Sequence, residues 1–303
     1  MPSLIVNTNV TSLVAHRRLN ENTTQVQRSL ERISSGLKIN RAADDAAGLS
    51  VSENLIGQVR GNQKALQNAQ DGVSILQVAQ GGLTVINNNL QRMRELAVQA
   101  GNDTNSQQQR EAIAREIRAM AEDVLRIANS TDFNGIPLLD GSVGATANLQ
   151  VGAGSDPSTN TINIASALGN VTLGVAGIGL LDSTGINATF LNLDNIFNLG
   201  TGLTAMTSSA VARSFMGDVD RAINVVTAQL ATLGSYQNQL DSAITNLEIS
   251  VESFSASNSR IRDLDVASES SVLVQSQILQ EAAVQVLAQS NRIPQLTLSL
   301  LQN

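Results

Sequence analysis

The 303-residue chain has no cysteine, no tryptophan and a single histidine, His16. Without cysteine there are no disulfides and no thiolate metal sites. With one histidine there is no HExxH zinc motif, and the nucleophile–base pairs of hydrolases lack their usual base. Aromatic residues make up only 2%, which speaks against a globular core built on Phe and Trp. The apolar content is instead Leu, Ile, Val and Ala, the residues that fill helix–helix seams. Basic residues are also few, 19 against 26 acidic, for a net charge of −7. That balance disfavours nucleic acid, whose binding needs clustered Lys and Arg, and it disfavours anionic membrane surfaces for the same reason. No run approaches the roughly 18 apolar residues of a membrane span. The opening "MPSLIVNTNV" carries neither a basic leader nor an apolar run long enough for a secretory signal. These signals alone read as a cytoplasmic protein, an expectation revised below.

The ends of the chain differ from its middle. Residues 1–130 and 212–303 are rich in Gln, Asn, Arg, Leu and Ala, and their only prolines are Pro2 and Pro294. Residues 131–211 hold many of the Gly, Ser, Thr and Asn residues, so long helices are expected at both ends with a short β- and loop-rich insert between. The clearest periodicity comes late. Val219, Ile223, Val226, Leu230, Leu233, Gln237, Leu240, Ile244, Leu247 and Val251 follow alternating steps of four and three, all apolar except Gln237. Such steps held over several heptads predict a coiled-coil helix, roughly 60 Å long at about 1.5 Å per residue. A stripe that long needs partner helices. Upstream, Leu55, Val59, Leu66, Ala69, Val73, Leu76, Leu83, Leu90 and Ala97 share one such lattice, widened by Ile86 and Met93. Gly101 and the polar "NDTN" stop that helix. Ser106 with Gln109 reads as a capping box opening a third helix, with Ile113, Ile117, Met120, Val124 and Ile127 along one face.

The extremes repeat the pattern. Leu19, Val26, Leu30, Ile33 and Leu37 form an N-terminal stripe; Val272, Leu279, Ala283 and Val286 form a C-terminal one, widened by Ile278, Val284 and Leu287. Each needs cover, so the first and last helices are expected to pair, the chain going out and returning with the insert at the far tip. Within the insert, Leu149, Val151, Ile162 and Ile164 alternate with polar residues on either side of "GSDPSTN", which reads as a hairpin. The fold class expected is mainly α, a long antiparallel coiled-coil helical bundle with a small β-hairpin and loop insert.

Nothing in this layout suggests catalysis. His16 stands alone and reads as an ordinary polar helix residue. Asp44 and Asp45 are adjacent, and neighbours on a helix point apart, so they are not expected to share a proton. There is no GxxxxGK[ST] phosphate loop and no cofactor motif. The Ser/Thr/Asn-rich insert has a composition that O-linked glycans use, though an ordinary solvated loop is the preferred reading.

Several long strings carry a resemblance. "RISSGLKINRAADDAAGLSVSENL" (32–55), "NAQDGVSILQVAQGGLTVINNNLQRMRELAVQA" (68–100), "STDFNGIPLLDG" (130–141), "SRIRDLDVASE" (259–269) and "ILQEAAVQVLAQSNRIPQLTLSLL" (278–301) are similar, in this order, to the terminal regions of bacterial flagellins. The short insert fits those flagellins that lack large outer domains. Hook–filament junction proteins share the terminal plan, but they typically carry a Pro on either side of the Asp pair, and this chain has none there. A coiled-coil adhesin remains a rival, and it would keep ordered ends as a monomer.

The resemblance implies a structural filament subunit, not an enzyme, with no cofactor and no metal. It implies an inner D0 domain of residues 1–43 and 257–303 lining the filament channel. It implies a D1 bundle of 44–135 and 212–256, with 136–211 as its hairpin and loop region, and a D0–D1 linker at Ser34, Ser35 and Gly36. Leu19, Val26, Leu30, Ile33, Ile278, Leu279, Val286 and Leu287 would form the polymerisation face, and the C-terminal helix would also bind the flagellin export chaperone. Other implied partners are the export apparatus, the filament cap, the hook–filament junction proteins and further copies of the chain. "LQRMRELAVQ" (90–99) resembles the stretch recognised by the vertebrate receptor TLR5, which places Gln91, Arg92, Leu96 and Glu116 at a receptor and axial-contact surface. Flagellins are exported without a cleaved leader, so the resemblance also implies an extracellular location in the flagellum.

Overall fold

The computed structural model describes residues 9–140, 147–165, 168, 173–174, 177–181, 187–189 and 208–301. Helices dominate: α1 (Val10–Ser35), α2 (Ala46–Ala100), α3 (Gln107–Ser130), a single turn α4 (Pro157–Asn160), α5 (Ser209–Arg262) and α6 (Val266–Leu301). The strands are short: β1 (Asp132–Phe133), β2 (Ile136–Pro137), β3 (Asn148–Gln150), β4 (Thr161–Asn163), β5 (Leu173–Gly174), β6 (Gly177–Leu181) and β7 (Asn187–Thr189). The chain divides into two compact units, Met1–Val59 with Glu252–Asn303, and Arg60–Val251. Both α2 and α5 supply residues to each.

In the first unit α1 and α6 pair antiparallel, as the stripes at the two ends of the sequence require. Asn9 caps α1 by accepting from the Ser12 amide at 3.1 Å. At the other end Gly36 takes the left-handed conformation, φ 71°, and its amide donates to Arg32 O at 2.8 Å. This is the αL stop that "SSG" foreshadows, and an L side chain there would be strained. The chain then forms an antiparallel bridge, Leu37 to Asp263. The Lys38 amide donates to Arg262 O at 2.7 Å and the Leu264 amide to Gly36 O at 3.0 Å. Both connections are therefore tied to each other, a pairing across more than two hundred residues that no local pattern announces. Asp265 restarts the helix by accepting from the Ala267 and Ser268 amides at 3.0 and 3.2 Å.

The stripes of α1 and α6 are not used as the large apolar residues alone suggest. Leu19, Val26, Ile33, Ala283 and Leu287 are half-buried, whereas Leu30, Ile278, Leu279 and Val286 are exposed. Buried in their place are Ser29, Glu269, Ser276 and Ser290. Serine is small enough to let two helices approach closely, but a search for apolar periodicity passes over it.

The second unit packs α2, α3 and α5 around one core. The lattice on α5 holds throughout, with Val219, Val226, Leu233, Leu240 and Leu247 buried and the alternate positions half-buried. Gln237, its polar member, donates to Gln80 Oε1 at 3.0 Å. On α2 the seam is Asn62, Ala65, Ala69, Gly72, Leu76, Ala79, Leu83, Ile86, Leu90, Met93, Ala97 and Ala100, all buried in alternating steps of three and four. Its first half is built from small residues, for which the hairpin supplies the missing bulk. β3 and β4 pair antiparallel with Leu149 opposite Ile162, and Leu149 lies against Gly72. A Cβ on Gly72 would fall 2.3 Å from Leu149 Cδ1, so any larger residue would push the Leu149 side chain aside. Asn68 Nδ2 also donates to Gln150 O at 3.1 Å.

The capping box forms, with the Ser106 amide donating to Gln109 Oε1 at 2.9 Å and the Gln109 amide donating to Ser106 Oγ at 3.4 Å. The expected position of the insert needs correction. The hairpin does not sit at the far tip beside Ala100; it lies midway along α2. The reason is α3, whose 24 residues carry the chain back about 36 Å along α2 before the insert begins. Thr131 and Leu139 accordingly stand over Gly82. Between them the chain turns through Asn134 and Gly135, at φ 53° and 78°, to pair β1 with β2. Further along, β5, β6 and β7 form a three-stranded antiparallel sheet.

Candidate functional site

The paired ends distribute polarity unusually. Polar groups are buried in their seam beside half-buried apolar ones, and other apolar groups face outward. On α1, Val10, Leu13, Val14 and Leu30 are between 44% and 62% exposed. On α6, Val274, Ile278, Leu279, Val284 and Val286 are between 47% and 61% exposed. A shallow groove on α6 is lined by Ser270, Ser271, Val274, Gln275, Ile278 and Leu279. Large apolar side chains left in water in this number call for cover by another protein surface. Four of the polymerisation-face residues named from the sequence, Leu30, Ile278, Leu279 and Val286, thus lie open, while Leu19, Val26, Ile33 and Leu287 are engaged between the two helices.

The second surface joins α2 to α3. Gln91, Arg92 and Glu116 are exposed. Arg92 Nη1 donates to Glu95 Oε2 at 2.8 Å, and Nη2 donates to Glu116 Oε1 at 3.4 Å. The hydrogen bond that Arg92 donates to Glu95 and the nearby Glu116 charge push the guanidinium pKa up, so it stays charged. Leu96 does not join this surface. It is only 2% exposed and packs in the core beneath it.

At the linker, Ser34 and Ser35 are exposed. Ser35 Oγ accepts from the Leu37 amide at 3.2 Å and from Asn40 Nδ2 at 2.8 Å. The neighbouring aspartates are not on a helix, contrary to expectation, because α2 begins only at Ala46. Asp44 Oδ2 accepts from the Arg41 and Asn40 amides at 3.1 and 3.3 Å. Asp45 Oδ1 accepts from the Gly48 amide at 2.9 Å, as an N-cap does. Their different partners explain why they share nothing.

The Arg41 amide bond holds the Asp44 carboxyl below its ordinary value, helped by the Asn40 amide and by Arg32 and Arg28, while burial works against them. A carboxyl whose folded pKa is depressed stabilises the fold above its unfolded value, about 4, and that contribution fades as pH falls through the folded value. Asp44→Asn is therefore expected to flatten the loss of stability of the linker between about pH 5 and pH 2. Hydrogen exchange at the Asn40 and Arg41 amides checks this, and parallel curves for the two proteins would refute it.

His16 is exposed on α1. Among the described residues no group of three or more His, Cys, Asp or Glu could hold a metal. No described helix is long and apolar enough to cross a membrane. What this geometry offers is surface for other protein chains. Reasoning from sequence missed the buried polar seam of Ser29, Glu269, Ser276 and Ser290; the one available signal was that Glu269, Ser276 and Ser290 recur at seven-residue spacing with Ala283 of the C-terminal stripe, whereas Ser29 stands off the N-terminal stripe.

Comparison with known proteins gives a consistent result. Residues 6–144 match the family model of the bacterial flagellin N-terminal helical region, and residues 216–301 match that of the bacterial flagellin C-terminal helical region. A flagellin of Halalkalibacterium halodurans is 38% identical, the alignment covering 99% of this chain and 100% of the relative. A flagellin of Bacillus subtilis is also 38% identical, with 98% and 99% covered. The crystal structure of Bacillus cereus flagellin aligns at 28% identity and a TM-score of 0.42, over 60% of this chain and 88% of that one.

Proposed function

The chain belongs to the bacterial flagellin family, and from that premise we propose which of its surfaces build the filament and which meet other partners. As a flagellin it is a structural subunit of the flagellar filament outside the cell, serving motility, and it is not an enzyme. One observation supports the reading of its ends: α1 and α6 together leave broad apolar faces in water. Copies of the same chain are the natural cover. Assembly then buries those faces, and the gain offsets the entropy of ordering the ends. Contacts that join unlike surfaces without closing a ring grow an open helical polymer.

In this reading residues 1–43 and 257–303 form the inner D0 shell and residues 44–135 and 212–256 the D1 bundle, with Ser34–Gly36 as the joint. The exposed face of α6 serves the export chaperone before assembly and neighbouring subunits afterwards. The export apparatus, the filament cap and the junction proteins complete its partners. Electron microscopy of the full chain against residues 45–255 tests the proposal: filaments from the first and none from the second are expected, and filaments from both would overturn it.

The free subunit also offers Gln91, Arg92 and Glu116 to the receptor TLR5, with Leu96 holding α2 and α3 in place beneath them. The Arg92–Glu116 pair, which joins two helices in one exposed patch, supports this reading. Arg92→Ala is expected to weaken receptor activation by monomer about tenfold or more, the effect typical of a central Arg in an interface. Activation at the native level would remove Arg92 from the receptor surface.

A further inference from the structure

Coiled-coil seams are usually apolar, yet in the described part of the α1–α6 seam Ser29, Glu269, Ser276 and Ser290 are each less than a tenth exposed, and only Ala15 among apolar residues matches them. The polar groups meet at fixed places. Near the end of α1, Ser29 Oγ donates to Glu269 Oε1 at 2.6 Å, and Arg32 Nη1 lies 3.7 Å from Glu269 Oε2. Near its start, Thr11 Oγ1 and Ser290 Oγ are 2.7 Å apart, and Asn9 Nδ2 donates to Ser290 O at 2.9 Å. Between them Gln280 Nε2 donates to Thr23 Oγ1 at 3.2 Å. Glu269 also lies in the first turn of α6 and Arg32 in the last turn of α1, each at the helix end that favours its charge.

The apolar part of the seam cannot by itself choose this alignment. Leu19, Val26 and Ile33 recur every seven residues on α1, and the half-buried Leu273, Gln280 and Leu287 recur at the same spacing on α6. A slip of seven residues, about 10.5 Å, again sets one stripe against the other. The polar contacts do not survive such a slip. In one direction Glu269 comes opposite Asn22 and leaves Arg32 behind; in the other it passes the end of α1. A buried carboxylate stripped of its partners is costly. A single polar side chain in a seam is enough to fix the register of a coiled coil.

We propose that Ser29 and Glu269 are positioning residues that set the register in which the two ends of the chain pair. The inference concerns pairing within one chain and does not depend on how copies assemble. The absence of native cysteine makes it testable by disulfide trapping in the full-length chain. Thr11→Cys with Ser290→Cys reports the native register, since the two hydroxyls already stand within bonding distance of each other. Thr11→Cys with Ala283→Cys reports a one-heptad slip. The reporters lie 18 residues, about 27 Å, from Ser29. With Ser29 and Glu269 present, the native disulfide is expected to dominate. In the Ser29→Ala, Glu269→Leu background the seam stays packed, and the ratio of native to slipped disulfide is expected to fall about tenfold or more, as suits a lost hydrogen bond to a charged group. Glu269→Gln keeps an acceptor for Ser29 and is expected to keep the native disulfide dominant. An unchanged ratio in the doubly substituted background would overturn the proposal. So would loss of both disulfides together, which would mean that the helices merely come apart, or failure of Glu269→Gln to retain the native one. Sedimentation of the same samples reports filament growth separately.

Discussion

Leu279→Asp is expected to stop filament growth while leaving the helices of the single chain intact. Leu279 is 47% exposed on α6, beside Ile278 at 61%, so a carboxylate there meets water in the free subunit and costs the monomer little. Placed in an interface between copies, the same charge would be buried without a partner, at several kcal/mol per contact. The penalty recurs at every subunit added, so polymerisation fails rather than slows. Sedimentation and electron microscopy report the fibres, and circular dichroism reports the helices. Leu287→Asp is the informative companion. Leu287 is half-buried between α6 and α1, so its substitution is expected to loosen the pair as well as stop assembly. Normal filaments from Leu279→Asp would remove the exposed face of α6 from the polymer interface.

Leu83→Ala is expected to have the largest effect on the second unit. Leu83 is 0% exposed in the middle of the α2 seam and belongs to the core that α2, α3 and α5 share. Removing a buried Leu side chain costs its transfer free energy plus the cavity left behind, about 2–5 kcal/mol. Three long helices meet there and cannot collapse inward without shifting along their whole length, which favours the upper part of that range. For a cooperative unit of this size, thermal unfolding is expected to drop by roughly 10 °C. Val85 is the control. It lies two residues away on the same helix but is 47% exposed, so Val85→Ala is expected to change the transition by less than about 2 °C. Equal shifts for the two substitutions would contradict the assigned seam.

The contrast between Leu83 and Val85 also marks what could be read in advance. The stripe on α5 was legible because each of its positions repeats at 3.5-residue spacing, which follows from the helix's own geometry. Ser106 and Gln109 were legible because a capping box closes within four residues. Gly36 was legible because a glycine after two serines interrupts a helical run. In each case cause and consequence lie within a turn or a few heptads of one another along the chain. The exposed terminal residues were harder. Leu30 and Ser29 are adjacent, and hydropathy alone assigns the seam to Leu30.

The sequence by itself therefore determined the long helices, the stops at Gly36 and Gly101, the hairpin strands and the family. Only the tertiary structure decided which side of each terminal helix meets its partner, where the hairpin docks, and that Leu96 packs inside while Arg92 faces out. Helix periodicity is a property of one segment and reports a face without saying what covers it. The choice of cover depends on how closely a side chain from elsewhere can approach a helix, as Leu149 does at Gly72, and on polar groups such as Ser29 and Glu269, 240 residues apart, finding each other once the chain has returned.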